Sequence, residues 1–152
     1  MRVLVGVPTF GNFRFGYSIR WTLEALANQS FRDFRVLIVY RPSPGDRTLD
    51  VVDEFRDKLD IEVKIQSEGF FEEAMNIIFE MARDYDLLLI TDDAIPSKTW
   101  VEDHVNFHKQ FNDVFIARGL ISKNWLSRSM VVLFVNTHSS NRYVHCSIIT
   151  SR

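Results

Sequence analysis

Apolar residues along this chain fall into two alternating patterns. Short unbroken runs, the mark of strands buried on both faces, are separated by stretches in which apolar positions recur every three or four residues, the period of a helix with one buried side. "RVLVGV" (2–7) is the first run, and it ends at Pro8. Ser18 is an N-cap for a helix that carries Ile19, Leu23, Leu26 and Ala27 on one face. "FRVLIVY" (34–40) is a second strand, followed by the turn-rich "RPSPGD" and a helix from about Asp46 with Val51, Val52, Phe55 and Leu59 as its apolar face. "IEVKI" (61–65) is a third strand. A third helix places Phe70, Ala74, Ile77, Ile78 and Met81 on one stripe, "LLLIT" (87–91) is a fourth strand, and Ser97 or Thr99 caps a fourth helix.

This alternation predicts an α/β fold: a mostly parallel sheet between helical layers, joined by right-handed crossovers. Ligands of such sheets lie at the carboxyl ends of the strands, so the segments to watch are "PTFGN", "YRPSPGD" and "TDDAIP". After Asn112 the pattern weakens, although "DVFIA", "SMVVLFV" and "YVHCSII" read as further strands. We divide the chain into a core, 1–116, and an extension of the same domain, 117–152.

Composition narrows the function classes. At 152 residues the chain suits one domain with one core, and 46% hydrophobic residues with no low-complexity tract argue against disorder. Met130 to Val135 is the longest fully apolar run, too short to span a bilayer, and the N-terminus does not read as a signal peptide. The single Cys146 allows neither an intrachain disulfide nor a thiolate zinc site, so a cytoplasmic location is expected. A net charge of −2 argues against nucleic-acid binding. That charge is unevenly placed: no Asp or Glu follows Asp113, whereas Arg118, Lys123, Arg128, Arg142 and Arg152 do. A solvated basic face is the preferred reading of that tail, ahead of a flap for phosphate or for peripheral contact with an anionic membrane.

Chemistry concentrates at Asp92 and Asp93, two adjacent carboxylates directly after a strongly apolar strand. Charge is expensive to bury there, and a turn needs only one acid, so we read the pair as holding a divalent cation. Mg²⁺ and Mn²⁺ favour oxygen donors of this kind beside substrate phosphates. His104 and His108, spaced i, i+4, lack an evident third ligand and read as packing or surface residues.

Taken in order, "VLVGVPTFGN", "SIRWTLEALANQSFRDFRVLIV", "EGFFEEAMNIIFEMARDYDLLLITDDAIP" and "TWVEDH" resemble a glycosyltransferase of the large inverting family two, a short or C-terminally truncated one, over roughly residues 3 to 112. The resemblance implies a GT-A fold, the Rossmann-like three-layer α/β/α arrangement of nucleotide-diphospho-sugar transferases. It also implies a nucleotide-sugar donor, Mn²⁺ or Mg²⁺, and an unidentified glycan, lipid-linked or protein acceptor. With such a donor, Asp93 is the expected direct metal ligand and Asp92 contacts the ribose or a metal-bound water. Donor-binding candidates are Pro8, Thr9, Phe10, Asn12, Tyr40, Arg41, Asp46 and Asp92; Phe10 or Tyr40 offers an aromatic face for the base, Arg41 pairs with phosphate or stays solvated, and Asp46 binds donor or caps the next helix. Glu68 reads as a favourable charge at a helix start, and Asn76 as reaching the site or facing solvent.

Two departures from the family stand out. The acid that usually reads the base at the end of the second strand is replaced by Tyr40 or Arg41, which puts uridine preference in question. The D-x-D motif is not literal: either Thr91 replaces its first acid or the motif has contracted by one. The base of an inverting transfer normally follows the metal motif, and only Asp103 and Asp113 are left for it, neither matching by motif. A metal-assisted glycosyltransferase is the first functional reading; a GT-A module that binds a nucleotide or protein partner without turnover is the second.

Overall fold

The computed structural model describes residues 1–11, 13–14, 17–91, 94–111 and 134–135, with backbone alone at residues 13, 14, 17, 134 and 135. β1 (Val3–Thr9) is followed by a small antiparallel hairpin, β2 (Phe13–Arg14) and β3 (Tyr17–Ser18), and then by α1 (Ile19–Ala27). β4 (Phe34–Tyr40), α2 (Thr48–Asp53), β5 (Asp60–Ile65), α3 (Phe71–Met81), a 3-10 turn (Ala82–Asp84), β6 (Leu87–Ile90), α4 (Trp100–Gln110) and β7 (Phe134–Val135) complete the order.

The main sheet runs β5-β4-β1-β6-β7, its first four strands parallel and β7 antiparallel to β6. Alternation along the strands divides the core in two. Val3, Val5 and Val7 of β1, with Val36, Ile38, Leu87 and Leu89, pack under α1, α2 and α4; Leu4, Leu37, Val39, Leu88 and Ile90 face α3. A uniform crossover hand requires this arrangement: the chain steps from β1 to β4 to β5 with helices on one face, then returns past β1 to β6 with α3 on the other. Strand order reverses between β1 and β6, so the crevice such sheets use for ligands opens at the carboxyl ends of those neighbours.

Local chemistry explains the boundaries. Ser18 caps α1 as the sequence indicates, its hydroxyl accepting from the Arg20 amide at 3.3 Å. α2 starts two residues later than expected, and Val51, Val52, Phe55 and Leu59 are all buried. The α3 stripe needs correction. Phe70 precedes the helix and is 73% exposed, while Ala74, Met75 and Ile78 are buried and Phe71 packs beside them, which is the i, i+3, i+4, i+7 face counted from Phe71. α3 lies so close to β1 that a Cβ at Gly6 would meet Ile78 Cγ2 at 2.7 Å. Of the late strands, "SMVVLFV" contains β7, and the other two lie outside the described residues. Among the described residues no helix is long and apolar enough to cross a membrane.

Candidate functional site

The β1 side of the crevice is built by short-range hydrogen bonding. Pro8 is buried in the strand opposite Val39, so it shapes the floor and offers little surface. The Thr9 hydroxyl donates to the Gly11 carbonyl at 3.0 Å and accepts from its amide at 3.4 Å, which folds the chain back at Phe10. Gly11 has φ +145°, and an added Cβ would lie 3.2 Å from Asp46 Oδ2, so both its backbone and its neighbour call for glycine.

Asp46 therefore lies against the end of β1 despite the intervening turn. Its carboxylate accepts from the Thr48 amide at 3.0 Å and the Thr48 hydroxyl at 2.8 Å, fixing the start of α2, and also from the Tyr40 hydroxyl. Tyr40 is only 4% exposed and packs in the α1/α2 half of the core. Burial first, then the Asp46 carboxylate, pushes its phenol up to about 12. The expectation that Tyr40 offers an open ring to a base is thus corrected: alternation along β4 turns that ring inward. Phe10, half-buried at the tip of the β1 loop, keeps that role as a candidate.

Arg41 is the first residue past β4. Its amide donates to the Thr9 carbonyl at 3.0 Å, extending the β1–β4 ladder into the crevice. Its side chain turns toward α3, donates from Nη1 to the Gly69 carbonyl and lies over the Phe70 ring, 5.3 Å from the centroid. The turn beneath is held by Gln66, a residue the sequence reading passed over. Gln66 is 2% exposed, and its amide nitrogen donates to the carbonyls of Glu68 at 2.8 Å and Phe70 at 2.7 Å. A buried amide between an exposed strand end and a glycine is the signal that could have revealed it. Glu68 lies in this turn, whereas Glu72 and Glu73 occupy the first turn of α3, where their negative charge complements the positive end of the helix dipole. Asn76 is exposed and its amide points to Glu73 at 3.5 Å.

On the β6 side, Thr91 donates its amide to the Gly6 carbonyl at 3.1 Å, and the residue is 1% exposed, its hydroxyl having no hydrogen-bond partner among the described residues. A hydroxyl buried this deeply is a poor stand-in for the first acid of a D-x-D. Asp92 and Asp93 follow it immediately but, like Asn12 and Asp113, lie outside the described residues. The far end of their loop is firmly held. The Thr22 hydroxyl donates to the Ala94 carbonyl at 2.9 Å, and buried Gln29 donates to the Ser97 carbonyl at 2.6 Å and accepts from the Val101 amide at 3.0 Å. The Ser30 amide donates to the Lys98 carbonyl at 2.8 Å. The helix after β1 thereby positions the loop after β6.

Asp103 is exposed in the first turn of α4 and accepts from the Thr99 hydroxyl at 2.8 Å. His104 and His108 are buried, in edge contact with Trp100 and Phe107. Burial, reinforced by His108, lowers His104 to about 4. Among the described residues no three metal-ligating side chains cluster. In sequence, two carboxylates follow Thr91 directly, and carboxylate oxygens are donors of the kind Mn²⁺ or Mg²⁺ accepts. An open groove of about 360 Å³ lies apart, on the outer side of α1, between Trp21, Glu24, Ala25, Asn28 and Ile95.

TarS from S. aureus has a similar structure, with TM-score 0.66 and 25% identity over 79% of this chain and 23% of its own. Its 1-349 form in complex with UDP-GlcNAc matches at 28% identity and TM-score 0.65, over 74% of this chain and 32% of its own. The mannosyltransferase PcManGT from Pyrobaculum calidifontis, in complex with GDP-Man and Mn²⁺, aligns with TM-score 0.71 and 17% identity, over 88% of this chain and 44% of its own. The chain thus spans less than half the length of each of these proteins. Curated proteins give no match. The sheet order and these neighbours define a GT-A fold. The sequence model of glycosyl transferase family 2 matches residues 4–144, and the chain belongs to that family.

Proposed function

We propose that this chain binds a nucleotide-diphospho-sugar together with Mn²⁺ or Mg²⁺ and serves the inverting transfer of its sugar to an acceptor. One observation carries the reading: β1 and β6 are hydrogen-bonded neighbours, so the Thr9–Gly11 turn and the loop that begins with Asp92 and Asp93 leave adjacent strand ends at the point where strand order reverses. Family membership supports glycosyl transfer as the chemistry.

Asp93, aided by Asp92, is the residue we assign to hold the cation, which when bound neutralises the charge that develops on the leaving diphosphate. Thr9, Phe10 and Gly11 are assigned to one wall of the donor site and Arg41 to the other, with Asn12, next in sequence, a further donor-binding candidate. Asp46 acts mainly by fixing these walls, since its oxygens already accept from Thr48 and Tyr40. The second reading, a donor-binding module without turnover, draws on the position of Asp103, whose carboxylate is engaged by Thr99 on the exposed side of α4.

Calorimetric titration with UDP, GDP and their sugars, with and without Mn²⁺, tests the proposal. We expect metal-dependent binding that Asp93→Ala abolishes; absence of binding under every condition contradicts it. Sugar released to water or acceptor identifies the enzyme, and binding without release the module.

A further inference from the structure

We infer that Arg41, backed by Phe70 and clamped through Gly69, determines which base the donor carries, selecting one that presents two adjacent acceptors. The inference rests on the donor site proposed above and adds its specificity.

Position comes first. Arg41 leaves the end of β4, and Asp92 follows the end of β6, with β1 between them. Two strand spacings separate those ends by about 10 Å. That is comparable to the reach of a nucleoside from its diphosphate to the far edge of its base. A diphosphate at the β6 end therefore lays its ribose over β1 and its base toward β4 and the 66–70 turn.

The second point is how this turn is built. Three successive carbonyls, those of Glu68, Gly69 and Phe70, are taken up by side chains: Gln66 holds the first and third, and Arg41 the second. Gly69 has φ +74°, and a Cβ there would meet Glu73 Cβ at 2.7 Å, so the turn is specified by its sequence. It presents Phe70, 73% exposed, as backing for a guanidinium. An exposed aromatic ring is costly in water and useful where a planar partner lies against it. Backing by a ring and anchoring by a carbonyl restrict the plane and direction of the remaining N–H groups.

Recognition follows from donor–acceptor chemistry. A guanidinium only donates, whereas a carboxylate in this position would accept from a base N–H. The Arg fork pairs with two neighbouring acceptors, which guanine offers at O6 and N7 and cytosine at O2 and N3. Uracil separates its two carbonyls by an N–H, and adenine sets an amino donor beside N7. Guanosine and cytidine donors are favoured over uridine and adenosine ones.

Binding of GDP, CDP, UDP and ADP in saturating Mn²⁺ is the test, with 7-deaza-GDP as the probe that removes one guanine acceptor. We expect GDP or CDP to bind about tenfold or more tightly than UDP and ADP, and Arg41→Ala to erase the preference. If GDP is the tighter, 7-deaza-GDP loses that advantage; if CDP is, the cytosine edge is the one read. Phe70→Ala, at an exposed position, should weaken the preference without changing the melting temperature, and it keeps the test available should Arg41→Ala fail to fold. Equal binding of all four, or a preference that survives both substitutions, overturns the inference while leaving the donor site standing. Binding of none overturns the donor site itself.

Discussion

Two loops flank the crevice, and both are organised by a buried glutamine, yet they are held in different ways. Gln29, just past the end of α1, reaches across about seventy residues of sequence to Ser97 and Val101, where the Val101 amide is itself buried. The Gln66 side chain bonds within its own turn, to the carbonyls of exposed Glu68 and Phe70, while its backbone amide donates to the Tyr40 carbonyl at 2.8 Å. The first ties the loop after the aspartates to the core, and the second shapes a platform that projects into solvent. The cation site proposed for the aspartates calls for a rigid base, whereas the proposed base-reading surface calls only for a defined shape.

Substitution separates the two roles. Gln29→Leu leaves the buried Val101 amide without its acceptor and the Ser97 carbonyl without its donor, and should cost about 2–4 kcal/mol of stability by urea denaturation. A loss below about 1 kcal/mol would mean that water replaces these bonds. Gln66→Leu should cost less, about 1 kcal/mol, because the freed carbonyls are open to solvent. Its larger effect should be on the base preference of nucleotide binding, and a variant that keeps that preference would remove the turn from the recognition argument.

A third prediction concerns pH. His104 is lowered to about 4 in the fold, so between pH 6.5 and 4 the unfolded chain carries a proton the native state lacks. Stability should fall as pH drops through that window, by at most about 1.4 kcal/mol per unit from this residue. His104→Leu should flatten the slope, whereas an unchanged slope would assign the acid sensitivity to other groups.

Periodicity made much of this fold legible. Continuous apolar runs mark β1, β4 and β6 because these strands are covered on both faces, and Ser18 marks a helix start because few residue types cap one well. The start of the α3 stripe was misjudged by one residue, Phe70 being taken for Phe71. Phe70 has the type and spacing of a core residue, and only Gly69 and the Gln66 clamp, which set the helix start at Phe71, displace it. Tyr40 was read as a ligand face because sequence does not show which way a strand's last residue points. Thr22 and Gln29 escaped notice for a related reason: their partners lie 72 and 68 to 72 positions away, and local pattern carries no record of such pairs.

Everything proposed for this site depends on Asp92 and Asp93 binding a cation that carries a diphosphate. Electron paramagnetic resonance of Mn²⁺ reads this directly, because the six-line signal of the free ion collapses when it is immobilised. With GDP, CDP or UDP present, the wild-type protein should remove that signal well beyond what nucleotide alone achieves, and Asp93→Asn should restore it. An Mn²⁺ spectrum in each nucleotide solution that is the same with and without the protein would contradict the account.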